Sequence, residues 1–449
     1  MANPLQPSIS LPRRQEIIAA LRNGTVPQAG LDRLAVGIDR FSLAIDEELD
    51  RAALGQGVFK AVRGEWGGGK TFFARWLQHR AQMRGFATAE VQISETETPL
   101  YRLETVYRRA VEHLRTREWH EGTFKSLIDR WFFALEEEVL DAADAPSDPR
   151  QIAESVGVLL ESRLAKVSAT QPQFAAALRA VHRARMAGDN GAADGLLAWL
   201  SGQPHVAAAV KARAGLKGDV DHYAATGFLR GLLAVLQQTG RKGLVLVLDE
   251  VETLQRMRSD VREKSLNAMR QMLDDLDAGR YPGLYLLVTG TPTFFEGPQG
   301  ARQLPPLAQR LHVDFAADAR FDSARAVQIR LQPFDEPQLI EVGRKVRALY
   351  PTRHADRLAQ RLPDEVLVAL ARQVAGKLGG KVGMAPRLFL KKLVGDVMDR
   401  IEEHPDFDPT IHYSLQLSAA EMRPEERDAA GIVRSIDDLE LDLAGGDAP

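Results

Sequence analysis

The chain is expected to fold as an α/β protein with a five-stranded parallel sheet, a large helical insertion and a C-terminal helical lid. Three observations carry this expectation. A glycine-rich loop, Gly64-Glu65-Trp66-Gly67-Gly68-Gly69-Lys70-Thr71, stands between a short apolar strand at 58–62 and a helix at 71–84. The runs at 244–248 and 284–288 are short and rich in Val and Leu, the pattern of strands buried on both faces of a parallel sheet. Residues 115–240 read as successive helices with no strand pattern between them.

In chain order, residues 1–12 read as disordered and a helix is expected at 13–22, followed by a turn at Gly24. Val36 and Gly37 precede a helix at 39–53. After the loop and its helix come a second strand at 87–93 and a helix at 99–114. Helices at 124–141, 151–167, 174–187, 192–200 and 223–238 follow, separated by Pro, Gly and Asn signals. The strands at 244–248 and 284–288 flank an amphipathic helix at 261–278, and 326–331 is the fifth strand. Strands alternating with helices imply a parallel sheet. Helices are expected again at 335–350, 354–361, 364–378 and 387–402. An acidic stretch at 437–447 ends the chain, with Ile432, Val433, Ile436 and Leu439 able to dock as one amphipathic turn.

Composition narrows the function classes. The chain has 449 residues, 45% hydrophobic and 27% charged, as in soluble globular proteins. No apolar run approaches the ~20 residues of a membrane span. The first residues lack the apolar core of a signal peptide. There are no cysteines, which excludes disulfides, thiolate metal sites and a cysteine nucleophile. A cytoplasmic protein is expected. The net charge of −3 argues against a globally basic nucleic-acid binder but leaves room for a local basic face.

The loop matches G-x-x-x-x-G-K-[ST], the Walker A pattern. Gly64, Gly67, Gly68 and Gly69 let backbone N–H groups approach a polyphosphate closely, and the following helix start adds its positive dipole end. Lys70 is expected to reach the β- and γ-phosphates, and the Thr71 hydroxyl to ligate Mg²⁺. The apolar run at 244–248 ends in Asp249-Glu250, the Walker B pattern. It carries both acids to the carboxyl edge of the sheet, where α/β folds bind ligands. Asp249 is read as holding the Mg²⁺ shell and Glu250 as polarising the attacking water. Phosphoryl transfer is mostly positioning and charge neutralisation, so a metal, a lysine and a water-orienting acid cover its main needs. The rival reading is an ordinary strand running into an acidic turn.

Three further positions are candidates. Thr289, at the end of 284–288, would sit near the Walker B acids, with Thr291 competing. Arg310 lies in an apolar turn between the fourth and fifth strands and could reach a neighbouring subunit's γ-phosphate, since guanidinium forks suit phosphate. Arg302 and Arg320 are alternates, and a surface salt bridge is the plainer reading. Arg387 follows Pro386 at a helix start, where a cation opposes the helix dipole unless an anion is near.

These residues in this order resemble the AAA+ ATPases over roughly residues 30–115 and 240–402. The resemblance implies that Val36 and Gly37 pack on adenine, that Thr289 is the first sensor, and that Arg310 lies in the arginine-finger region. Gly383 to Arg387 resembles the G-x-P-R second sensor of the Orc/Cdc6-like branch, here spaced G-x-x-P-R. A narrower resemblance lies in Ile17–Pro27, Gly30-Leu31, Val36-Gly37 and Arg63–Gly67. These look like the ATP-binding proteins of BREX phage-defence clusters. That resemblance implies a defence protein working with an Lhr-like helicase or on DNA.

The expected domains are 1–55 (N-terminal helices and adenine-side linker), 56–114 with 241–332 (α/β core), 115–240 (helical insertion), 333–402 (lid) and 403–449 (extension). The expected activity is ATP hydrolysis with ATP and Mg²⁺, by a homo-oligomer that remodels or loads a helicase or other partner on DNA. The alternatives are a slow-hydrolysing switch and a nucleotide-stabilised scaffold. Within 115–240, Arg179, His182, Arg183, Arg185, Lys211, Arg213 and Lys217 can contact phosphates or simply form a solvated face, with acidic Glu136–Glu138 nearby.

Overall fold

The computed structural model describes residues 9–142, 147–380, 383, 386–422 and 424–430. They form two compact units. One gathers the described residues of 1–40, 64–76 and 331–449, and the other holds 41–63 and 77–330.

The second unit carries the sheet. Its strands are β1 (Val58–Arg63), β2 (Ala87–Gln92), β3 (Leu244–Asp249), β4 (Leu284–Gly290) and β5 (Gln328–Arg330). All pair in parallel, in the order β2-β3-β4-β1-β5. Each of the five expected strands is present. β3 and β4 are buried along their whole length, as near-continuous Val/Leu runs require.

β1 breaks that apolar rule once, at Lys60, which is 1% exposed. Its ammonium lies 2.6 Å from Glu48 on the helix Ser42–Ala53 and donates to the carbonyls of Ala324 and Ala326. Glu48 also accepts from the Tyr285 hydroxyl of β4, at 2.7 Å. Burial pulls the Lys60 ammonium below its ordinary range, and Glu48 opposes the shift. The cluster ties a helix, two strands and the segment entering β5 at a single point.

Between β2 and β3 run the helices Leu103–Glu112, Thr123–Leu140, Pro149–Thr170, Pro172–Met186, Asn190–Leu200, Ala208–Ala212 and His222–Gln238. They share one continuous core with the sheet. Phe228 is its aromatic hub: Tyr107, Phe174 and Trp199 meet it edge-on, with ring centroids 5.2–5.9 Å away. The helix expected at 99–114 starts at Leu103, because Pro99 through Arg102 form a turn, closed by Arg102 N–H to Pro99 O.

In the first unit, Leu11–Arg22 packs with Glu336–Leu349, Asp364–Lys377 and Pro386–Lys392 around Ile17, Leu21, Leu339, Leu367, Leu388 and Phe389. Arg14 donates to the carbonyls of Leu349 and Tyr350. Arg22 forks onto Asp399 at 2.6 and 2.8 Å, and Asp399 also accepts from the Tyr350 hydroxyl.

Three further local expectations are corrected. The helix starts at Leu11, inside the stretch read as disordered, with Pro12 in its first turn, where no N–H partner is needed. Pro305–Leu311 is a helix rather than a turn, again opened by Pro. The helix expected at 387–402 is interrupted by a π-helical segment, Leu393–Met398, between Pro386–Lys392 and Asp399–Glu403. The acidic stretch at 437–447 and its possible amphipathic turn lie outside the described residues. Among the described residues, no helix is long and apolar enough to cross a membrane.

Candidate functional site

The chain leaves β1 at Arg63 and enters the glycine loop directly. Gly67 and Gly69 have φ of 77° and 85°, which L side chains rarely adopt. A Cβ on Gly68 would stand 3.0 Å from the Glu65 carbonyl, to which Gly68 N–H donates. The fold of the loop therefore depends on glycine at three successive positions. At Gly64 a Cβ would press on Lys70 and Leu331.

Lys70 opens the helix Lys70–Met83 and is buried. Its ammonium bonds to the carbonyls of Gly64 (3.1 Å) and Glu65 (3.4 Å) and lies 4.9 Å from the centre of the Trp66 ring. Thr71 follows in the first helical turn. A glycine cradle, a buried ammonium and a hydroxyl at a helix start form a donor set that fits a nucleotide polyphosphate.

In the sheet unit, register brings a second group together. Gln92 pairs with Asp249 across β2 and β3, and Leu248 with Val288 across β3 and β4. Val62 pairs with Thr289, and Arg63 with Arg330. The carboxyl edge thus presents Gln92, Asp249, Thr289, Arg63 and Arg330 in one row.

Thr289 is fully buried. Its hydroxyl donates to the Asp249 carboxylate and accepts from the Glu250 N–H at 3.2 Å. The Glu250 N–H also reaches Asp249 Oδ1 at 3.2 Å. Glu250 has φ of 60°, a left-handed conformation that non-glycine residues hold only when their surroundings impose it. Its carboxylate accepts from the Gln92 side-chain amide at 2.7 Å. Of the two threonine candidates, Thr289 bonds to the acids. Thr291 instead precedes the short helix Pro292–Glu296, and its carbonyl accepts from Phe294 N–H.

Three residues of this edge, Gln92, Arg63 and Arg330, were not candidates from sequence. Gln92 lies inside the strand expected at 87–93, but only the fold pairs it with Asp249 and brings its amide to Glu250. Arg63 ends β1 with its guanidinium on Glu296 and Gln328 and over the Phe315 ring. Arg330 lies over the same ring. The hydrogen bond from Arg63, helped by the charges of Arg302 and Arg330, holds the Glu296 carboxyl below its usual range.

The remaining candidates sit elsewhere. Arg310, on Pro305–Leu311, pairs with Asp274 and Asp277 of the helix Ser259–Asp277 and is 37% exposed. Arg320 forks onto Asp318. In the other unit, Val36 is buried in the core around Ile17 and Leu339, and Gly37 (φ 73°) abuts Gln338. Arg387, at the start of Pro386–Lys392, forks onto Glu426 and donates to the Glu421 carbonyl. Met384 and Ala385 of the second-sensor stretch lie outside the described residues.

The basic side chains singled out between β2 and β3 are largely paired with acids. Arg179 forks onto Glu161, Arg185 pairs with Asp129, Lys211 with Asp219 and Arg213 with Asp189. His182 packs on Phe132, and burial lowers its pKa. These contacts match the solvated-face reading more closely than a phosphate-binding one.

The family model described as "BREX system ATP-binding protein BrxC/D" matches residues 9–417. A search of curated proteins finds no match. The chain belongs to the BREX system ATP-binding protein BrxC/D family.

Proposed function

We propose, with that membership as the premise, that this protein binds and hydrolyses ATP as an AAA+ protein of the Orc/Cdc6-like branch within a phage-defence system. The observation that carries the proposal is the bonded group Asp249, Thr289 and Glu250 at the carboxyl edge of the sheet. A buried hydroxyl there fixes the orientation of one acid and the backbone of the next, the kind of preorganisation that phosphoryl transfer needs.

In this reading Gly64, Gly67, Gly68, Gly69 and Lys70 hold the phosphates, and Val36 and Gly37 line the adenine. Thr71 and Asp249 hold Mg²⁺, which neutralises phosphate charge when bound. Glu250 orients the attacking water, and Thr289 and Arg387 sense the γ-phosphate. Arg310 acts on the site of a neighbouring subunit in a homo-oligomer. The core comprises 56–114 and 241–332, preceded by the adenine-side linker 1–55. Residues 115–240 are the insertion, 333–402 the lid and 403–449 an extension. Hydrolysis in the cytoplasm drives remodelling or loading of a helicase or another defence component on DNA. The paired basic side chains of the insertion favour contact with DNA through that partner.

One observation favours a second reading, the slow-hydrolysing switch. Gln92 occupies the Glu250 carboxylate, and a restrained water-orienting acid lowers basal turnover.

The test is steady-state ATP turnover and ATP binding by the full-length chain with Mg²⁺, with and without DNA. Lys70→Ala is expected to abolish ATP binding. Glu250→Gln is expected to bind ATP and lose turnover. A Glu250→Gln protein that hydrolyses ATP as fast as wild type removes the enzymatic reading. A Lys70→Ala protein that binds ATP normally removes the loop assignment.

A further inference from the structure

Arg387 poses a physical problem. It stands in the first turn of Pro386–Lys392, where a cation opposes the helix dipole. The solution in this chain is local. The Arg387 Nε donates to Glu426 Oε1 at 2.9 Å, and one Nη to the other carboxylate oxygen, a two-pronged fork. The same Nη reaches the Glu421 carbonyl at 2.7 Å. The Glu426 side chain is 7% exposed, so this pair is shielded from water on its acidic side.

The acid comes from the C-terminal segment that begins at Ser418, beyond the 9–417 span matched by the family. That segment is tied down a second time. Lys392 and Lys391, from the same helix as Arg387, both pair with Glu421. Lys392 is itself buried, and its ion pairs with Glu421 and Asp396 offset the burial and hold its pKa above the ordinary lysine value. The turn at Gly24 closes the other side of Arg387: a Cβ there would stand 3.1 Å from Nη1.

A bidentate carboxylate offers a guanidinium the same planar pair of oxygens that a phosphate does. We propose that Glu426 is an intramolecular competitor for Arg387, so that the C-terminal segment holds the second-sensor arginine away from nucleotide until ATP displaces it. The inference rests on the reading of Arg387 as a nucleotide-facing residue. A latch of this kind divides the population between engaged and free arginine, and the engaged fraction weakens apparent ATP affinity. By reciprocity, bound ATP weakens the latch.

The test measures ATP-analogue affinity by calorimetry on the full-length chain, using the non-hydrolysable analogue AMP-PNP with Mg²⁺. Four proteins are compared: wild type, Glu426→Gln, Arg387→Ala and the double variant. Glu426→Gln is expected to tighten binding about tenfold, within the ordinary range of site-to-site coupling. Arg387→Ala is expected to weaken binding. The double variant should match Arg387→Ala alone, because the effect of Glu426 acts through that arginine.

If Glu426→Gln leaves affinity unchanged while Arg387→Ala weakens it, the latch is wrong and the nucleotide role of Arg387 stands. If Arg387→Ala changes affinity in neither background, the nucleotide role itself is wrong. A Glu426→Gln protein with a lower melting temperature and unaltered affinity marks a purely structural ion pair and overturns the proposal. Should Glu426→Gln not fold, Glu426→Asp keeps the charge, shortens its reach by one methylene and carries the same comparison.

Discussion

The side-chain amide of Gln92, at the end of β2, holds the carboxylate of Glu250, just beyond β3, at 2.7 Å. β2 flanks β3 on the side away from β4 and β1, so the bond draws the acid toward the β2 edge of the sheet. The bond is solvent-exposed, so its net contribution is in the ordinary range of about 0.5–1.5 kcal/mol. Gln92→Ala is therefore expected to raise basal ATP turnover, with a ceiling of about tenfold for each 1.4 kcal/mol of restraint released. ATP affinity should stay within a factor of about two, since Glu250 is proposed to orient water rather than to bind phosphate. Steady-state kinetics beside equilibrium binding checks this, and unchanged or reduced turnover rejects the restraint.

Thr289 supplies a donor to Asp249 and an acceptor to the Glu250 N–H. Thr289→Val keeps the shape and removes both bonds. It is expected to destabilise the protein by about 1–3 kcal/mol, the cost of leaving buried polar groups unsatisfied, and to lower turnover. Thr289→Ser retains the hydroxyl and should keep most of both. Denaturant melts and turnover assays on the two variants separate the hydroxyl from the methyl group.

Arg310 is half-exposed and paired with Asp274 and Asp277. Ion pairs of this exposure contribute about 0–1 kcal/mol, so Arg310→Ala should fold with a nearly unchanged melting temperature. If the residue acts in trans, Arg310→Ala loses turnover, and mixing it with Lys70→Ala restores part of it. The first protein then brings an intact loop and the second an intact arginine. Mixtures that show no recovery reject the trans role.

Lys60, Glu48 and Tyr285 form a buried cluster. Removing one member of a buried pair typically costs about 3–5 kcal/mol because the other charge is stranded. Lys60→Met and Glu48→Gln should each lower the unfolding midpoint strongly. The double variant should recover much of the loss, a non-additivity read directly from a double-mutant cycle.

Gly69 has open space where a Cβ would go, so only its φ of 85° opposes substitution. Gly69→Ala should impose about 1–2 kcal/mol of left-handed strain on the loop. It should lower the unfolding free energy by up to that amount and weaken ATP binding measurably. Calorimetric titration of ATP with the variant checks this, and wild-type affinity rejects a preorganised loop.

Much of the fold was legible from local pattern. Three strands, β1, β3 and β4, announced themselves as short apolar runs, because a parallel sheet covered on both faces tolerates few polar side chains. The helices between β2 and β3 were legible through their 3.6-residue apolar period and their Pro and Gly punctuation. Where expectation and structure differ, a competing local rule decided: Pro12 and Pro305 start helices where a disordered stretch and a turn were expected, and the π-helical turn at Leu393–Met398 leaves no mark in hydrophobic spacing.

The sequence by itself determined the chemistry available: a glycine loop with Lys70 and Thr71, an apolar strand ending in Asp249-Glu250, and arginines at suggestive positions. Tertiary structure alone decided which of those groups meet. Strand order and register brought Thr289 to Asp249 and Gln92 to Glu250, although these partners lie far apart along the chain. Packing of the C-terminal segment gave Arg387 a carboxylate partner in Glu426, and the helix Ser259–Asp277 gave Arg310 two. The physical reason is range. Propensity and periodicity act over a few residues, whereas hydrogen bonds and ion pairs depend on a few tenths of an ångström between atoms that only folding brings together.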